Sequence, residues 1–208
     1  MPNWVTNKIT MDGSPSDIAE LKSTFGDKFS FDKIIPMPKC LGMINDVPAG
    51  FPWLIAEYIK TEVKDYVPSI NAARYFKRNR ICLGAVNSND VHFNDIKKVE
   101  QGFHNVEETG YAEWHTWRRD KWNTKWDACD CSLLEDEPTT LSYGFDTAWS
   151  FPEPVYETLS MQYPNVTFVV KWQDEDEAEY DEEDRQIGQF HCRVYSNGKV
   201  LSETMDDF

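Results

Sequence analysis

Two hydrophobic patterns divide this chain, and their order limits the folds open to it. At both ends, apolar and polar residues alternate as they do in half-buried strands. Trp4 to Met11 alternates in this way and stops at the turn pair Asp12-Gly13. Val166, Phe168, Val170 and Trp172 repeat the pattern, as do Phe190, Cys192 and Val194 before the tight-turn pair Asn197-Gly198. Between the ends, Phe51, Leu54, Ile55, Tyr58, Ile59, Val63, Tyr66 and Val67 recur at helical spacing.

The remaining elements follow from local signals. Ser14-Pro15-Ser16-Asp17 opens a helix as a capping box, with Ile18, Leu21 and Phe25 on its apolar stripe and Gly26 as its stop. Phe29 to Ile35 reads as a second strand. Phe93 to Phe103 and Tyr111 to Trp122 read as two further helices. Trp126 to Ser132 and Leu141 to Trp149 return to strand patterning. Ser150 and Glu153 form a second capping box before Val155, Leu159 and Tyr163. Without its middle, the chain reads β-α-β-β-α-β, an α+β fold. It is the ferredoxin-like split βαβ, an antiparallel sheet with both helices on one face. Residues 1–39 and 126–208 form this core, and residues 40–125 form a mainly helical insertion.

Charge narrows the partners. The chain has 36 acidic and 21 basic residues among 208, a net charge of -15. Nine carboxylates stand between Asp174 and Asp184. A surface of this sign repels bare nucleic acid and anionic membrane, and attracts proteins that bind phosphate backbones. No apolar run approaches the roughly 20 residues of a membrane span. Met1-Pro2-Asn3-Trp4 leads straight into a strand with no signal peptide, and the five cysteines are an odd number. Reduced thiols in a bacterial cytoplasm are expected.

Four separated motifs are more distinctive than composition. They are Met1-Pro2-Asn3-Trp4, Lys33-Ile34-Ile35-Pro36-Met37-Pro38, Trp122-Asn123-Thr124-Lys125-Trp126-Asp127-Ala128, and Phe145-Asp146-Thr147-Ala148-Trp149-Ser150-Phe151-Pro152. In this order they resemble a family carried by phages and plasmids, the YubB-like or ferredoxin-like proteins of uncharacterised function. The resemblance covers roughly residues 1–38 and 111–200. It implies a mobile-element origin and the same fold, and it brings no catalytic residues.

Candidate sites are few. Trp126 and Trp149 read first as aromatic packing, with Asp127, Asp130 and Asp146 paired to Lys125 or Arg119. The alternative is a ligand pocket of Trp122, Lys125, Trp126, Asp127, Asp146 and Trp149. Cys129-x-Cys131 is too closely spaced for a zinc knuckle, so no metal and no cofactor is expected. There is no G-x-S-x-G, H-E-x-x-H, P-loop or G-x-G-x-x-G motif. The basic residues Arg74, Lys77, Arg78 and Arg80 form a solvated or internally paired face. Their alternative is a nucleic-acid grip with Tyr75 and Phe76 as stacking groups.

The acidic run has two readings, a solvated loop or a nucleic-acid mimic. Extended, it places a carboxylate roughly every 4 Å, at about 3.3 Å per residue. Duplex DNA places a phosphate every ~3.4 Å along each strand. Together with the mobile-element origin that the resemblance implies, the expected function is a non-enzymatic inhibitor from a phage or plasmid, an anti-CRISPR or anti-restriction protein that binds a host nucleoprotein rather than nucleic acid. Its expected contacts are Asp174, Glu175, Asp176, Glu177, Glu179, Asp181, Glu182, Glu183 and Asp184, with Tyr180 as an aromatic anchor. A small-molecule or enzymatic role in the Trp/Lys/Asp pocket, or a module that binds its own copy, are the alternatives.

Overall fold

The computed structural model describes residues 3–44, 50–85, 96–180 and 186–207. Two compact units divide the chain, 1–36 with 118–208, and 37–117. The first holds a six-stranded antiparallel sheet in the order β2-β3-β1-β4-β7-β8. Its strands are β1 (Trp4–Asp12), β2 (Cys129–Glu137), β3 (Thr140–Ala148), β4 (Thr167–Asp174), β7 (Gln189–Ser196) and β8 (Lys199–Asp207). A separate two-stranded pair, β5 (Glu179–Tyr180) with β6 (Gln186–Ile187), interrupts the link from β4 to β7.

The helices are α1 (Pro15–Phe25), α2 (Phe51–Glu62), α3 (Ile70–Arg78), α4 (Ile96–Thr109), α5 (Trp114–Lys121) and α6 (Glu153–Gln162). The core order β1-α1-β2-β3-α6-β4 is the ferredoxin-like α+β topology, with the helical unit inside the first crossover and the β7–β8 hairpin added beside β4. In β1, Val5, Asn7, Ile9 and Met11 are buried, whereas Trp4, Thr6, Lys8 and Thr10 are half-buried. Tyr143, opposite Ile9, donates its hydroxyl to the carbonyl of Gly26 after α1. The α6 residue Tyr156 donates its hydroxyl to Asn7 Oδ1. Both helices therefore cover the same face of the sheet.

Several expectations change. Phe29–Ile35 is not a strand but a 3-10 turn over Phe31–Lys33. Its alternation is real, because Phe29 and Phe31 are buried against Phe145 and Tyr143. However, the Phe31 N–H and the Ser30 hydroxyl are taken by the Asp127 carboxylate, so they have no strand ladder to join. The second core strand is instead β2, after the helical unit. Ser14 caps α1 as expected, accepting from Asp17 N–H. Ser150 does not cap α6: Pro152 is its N-cap, without a side-chain bond, and Glu153 is held by Arg193. The unit boundaries fall at 36/37 and 117/118 rather than 39/40 and 125/126. Trp122 accounts for the second shift. It is fully buried, donates its indole N–H to the Ile35 carbonyl, and meets Phe31 edge-on.

The helical unit has its own core, in which Phe51, Ile55 and Ile59 of α2 face Val99, Phe103 and Val106 of α4. A Cβ on Gly102 would lie 2.7 Å from Phe51 Cζ, so glycine permits this close approach. Tyr75 and Phe76 are buried in the same core and are not available as nucleic-acid stacking groups. Arg78 is anchored internally: its guanidinium lies 4.3 Å from the Tyr111 ring centroid and donates to the Gly110 carbonyl.

The β7–β8 hairpin turns through Asn197 and Gly198, both with positive φ, at 48° and 70°. That is the backbone a two-residue type I′ turn requires. A Cβ on Gly198 would also lie 2.3 Å from Met161 Cγ. Gly198→Ala should therefore cost about 1–3 kcal/mol, read as a fall in Tm.

Candidate functional site

Partition of charge between the units is the first property of the site. The ferredoxin-like unit carries 12 basic and 26 acidic residues, a net -14, whereas residues 37–117 carry 9 basic and 10 acidic, a net -1. Nearly the whole excess negative charge thus belongs to the sheet unit. Exposed carboxylates stand at Glu135, Asp136 and Glu137 at the end of β2, and at Glu175, Asp176 and Glu177 after β4.

The start of the acidic connection is organised by the sheet. Gln173, 1% exposed on β4, donates its amide to the carbonyls of Glu177, Ile187 and Gln189, drawing the beginning and end of the connection together. The Trp4 N–H donates to Glu175 Oε2 at 2.9 Å. Glu177 Oε2 lies 3.1 Å from His191 Nε2. Gly188, with φ 102°, leaves room for the clamp, since a Cβ there would sit 3.2 Å from Gln173 Nε2. Burial pushes the Asp174 carboxyl above its usual range, and crowding by Glu177 and Asp176 adds to it. Glu179 and Tyr180 form the strand β5. Asp181, Glu182, Glu183 and Asp184 lie outside the described residues.

A second cluster lies at the end of the sheet where β1 starts and β3 ends. Lys125 Nζ is 4.6 Å from the Trp126 ring centroid and 5.0 Å from that of Trp149. The Arg119 guanidinium lies 5.7 Å from Trp149, and the Trp4 ring meets Trp126 at 5.9 Å. Trp149 is 40% exposed and has φ 82°, a left-handed conformation that a bulky side chain rarely adopts. Its N–H donates to the Asn3 carbonyl, which fixes that turn.

Of the alternative pocket, Lys125, Trp126 and Trp149 come together. Trp122 is committed to the core. Both Asp127 oxygens serve the backbone or hydroxyls of Ser30, Phe31 and Ala128, so Asp127 holds the chain rather than a ligand. Asp146 sits opposite Thr6, on the sheet face that carries Trp4. Burial raises its carboxyl pKa above the usual range, against a hydrogen bond from Thr6 that lowers it. Trp4 and Arg119 are the members that the pocket reading lacked. The strand pattern places Trp4 on the face away from the helices, but only the fold brings it to Trp126.

Cysteine chemistry at this end is subdued. Cys131 Sγ accepts from the Phe29 N–H at 3.2 Å, beside a recess of about 460 Å³ lined by Lys28, Ala128 and Asp130. Burial pushes the Cys129 and Cys131 thiols up, the opposite of an activated nucleophile. Among the described residues, no group of three or more His, Cys, Asp or Glu is placed to hold a metal ion. Among the same residues, no helix is long and apolar enough to cross a membrane.

Residues 121–208 match the family model of the ferredoxin-like domain in Api92-like protein. The Api92-like match takes in β2 to β8, and with them Lys125, the exposed Trp149 and the acidic connection. It supports the ferredoxin-like fold. It supports neither the YubB-like name nor an origin in phages or plasmids. The crystal structure of protein api92 from Yersinia pseudotuberculosis is similar at a TM-score of 0.46 and 12% identity, over 99% of this chain and 98% of that one. No curated protein matches.

Gln173→Leu should release three carbonyls and cost about 1–3 kcal/mol. Hydrogen exchange should quicken at residues 175–180 and 186–189 while β1 and β3 amides keep their protection.

Proposed function

We propose that this protein is a non-enzymatic acidic inhibitor, carried by a phage or another mobile element, that binds a nucleic-acid-binding defence complex of a bacterial host. The charge partition carries this reading. A net -14 on one compact unit beside -1 on the other makes the sheet unit the face that a phosphate-binding groove attracts. The pinned base of the acidic connection supports the reading further. A loop whose ends are already ordered loses less conformational entropy when it docks. The carboxylates of 174–184 then stand in for backbone phosphates, with Tyr180 as the aromatic anchor. The partner is a protein and not nucleic acid, which this surface repels. The mobile-element origin rests on the resemblance of the four sequence motifs. Action in the host cytoplasm follows from the nature of the target.

A second reading, a ligand-binding surface, is favoured by one observation: the exposed Trp149 in a left-handed backbone, with Lys125 and Arg119 against its ring. It concerns a different part of the same unit, so the two readings are separable by mutation.

Capture of host proteins on the immobilised full chain, at low and high salt, tests the leading reading. A nucleic-acid-binding complex should be retained at low salt and lost at high salt. Neutralising Asp181, Glu182, Glu183 and Asp184 to Asn or Gln should weaken capture, whereas Lys125→Ala should not. Retention that is indifferent to salt and to these substitutions would end the mimicry account.

A further inference from the structure

The two edges of the six-stranded sheet differ in kind. The β2 edge is broken by register shifts between Cys129 and Ser132 and again between Leu133 and Glu135. Such bulges are a common way to blunt an edge against strand addition. The β8 edge has none of this over most of its length. It stays in unbroken register with β7 from Gln189↔Asp207 to Val194↔Ser202, and its single shift lies near the turn. Among the described residues, β8 is paired on one side only.

The side chains on β8 are also unusual for an edge. Val200, Leu201 and Met205 are 43%, 63% and 49% exposed. Glu203 and Met205 are spaced two residues apart in the unbroken register, so they share one face of the strand, whereas Leu201 lies at the shift between Val200 and Ser202. Glu203 is held in place by Arg193, at 3.1 Å from Nε, on the neighbouring strand β7. From Ser202 to Asp207 the edge therefore offers a row of backbone groups with acidic Glu203 and apolar Met205 on one face.

We infer that β8 is a docking edge that adds an extended strand of a basic partner protein, one with a basic and an apolar residue at alternating positions. Strand addition gives affinity through main-chain hydrogen bonds and specificity through alternate side chains. A partner Lys or Arg opposite Glu203 forms a favourable cross-strand charge pair, and an apolar residue two positions away covers Met205. The net charge of -14 on this unit selects the sign of the partner. The same charge disfavours a second copy of the chain as the occupant. This inference rests on the acidic-inhibitor reading and specifies how part of the partner is held.

The test uses the full chain and short synthetic peptides. One peptide alternates Val-Thr-Lys-Thr-Val. A second carries Glu in place of Lys. A third keeps the lysine sequence but has alternate backbone amides N-methylated, which removes the donors and leaves the charge. Binding is followed by hydrogen exchange at β8 and by titration. The lysine peptide should slow exchange at β8, and N-methylation should weaken it by at least about tenfold, the loss expected for a few main-chain hydrogen bonds. Equal binding of the N-methylated peptide, or protection away from β8, overturns strand addition and leaves the acidic-inhibitor reading standing. Equal binding of the Glu and Lys peptides removes the basic partner, and that reading with it. Concentration-dependent dimerisation that protects β8 without any peptide would make a second copy the occupant and overturn the proposal.

Discussion

The ferredoxin-like unit depends on one strand. β1 pairs with β3 along one edge, from Trp4↔Ala148 to Asp12↔Thr140, and with β4 along the other, from Val5↔Asp174 to Asp12↔Thr167. Without it, the β2–β3 hairpin and the β4–β7–β8 sheet have no common ladder. Its partners are more than a hundred residues away in sequence, with the whole helical unit between, so the pairing carries a high loop-closure cost. Buried contacts on its helix-facing side offset that cost. Ile9 and Met11 are fully buried, and Asn7 is satisfied by the Val5 carbonyl, the Thr147 hydroxyl and the Tyr156 hydroxyl.

Trp4 extends this dependence to both candidate sites. Its main-chain N–H holds Glu175 at the start of the acidic connection, and its ring packs on Trp126 beside Lys125. The acidic and the aromatic clusters therefore share an origin at the first residue of β1. On the opposite face, Trp172 stacks on Phe151 at 3.9 Å and on His191 at 5.0 Å, and His191 reaches Glu177. The connection is thus tied to the sheet from the main chain of β1, from the buried amide of β4 and from an imidazole of β7.

Much of this was legible in the residues. The alternation of Trp4–Met11 and Val166–Trp172 gave strands, and Asn197-Gly198 gave a tight turn. The same rule misled at Phe29–Ile35. Alternating aromatics there fill the core, while a carboxylate distant in sequence takes the backbone donors. β8 went unread because Lys199 to Asp207 mixes exposed apolar and acidic residues, a pattern that burial does not produce on an edge strand. In the pocket, residue type offered the gathering of Lys125, Trp126 and Trp149 only as the alternative to aromatic packing. It did not predict that Asp127 and Trp122 are consumed by local structure, since their partners, the Phe31 N–H and the Ile35 carbonyl, are main-chain groups that no side-chain pattern reveals. The charge partition needed the unit boundary as well as the sequence.

The central claim is that the sheet unit, rather than the helical unit, meets the partner. Zero-length carboxyl-to-amine cross-linking of the complex captured from the host, mapped by mass spectrometry, tests it most directly. The account predicts cross-links to partner lysines from carboxylates within 118–208, concentrated at 174–184 and at the β8 edge. Cross-links confined to carboxylates of residues 37–117 would contradict it.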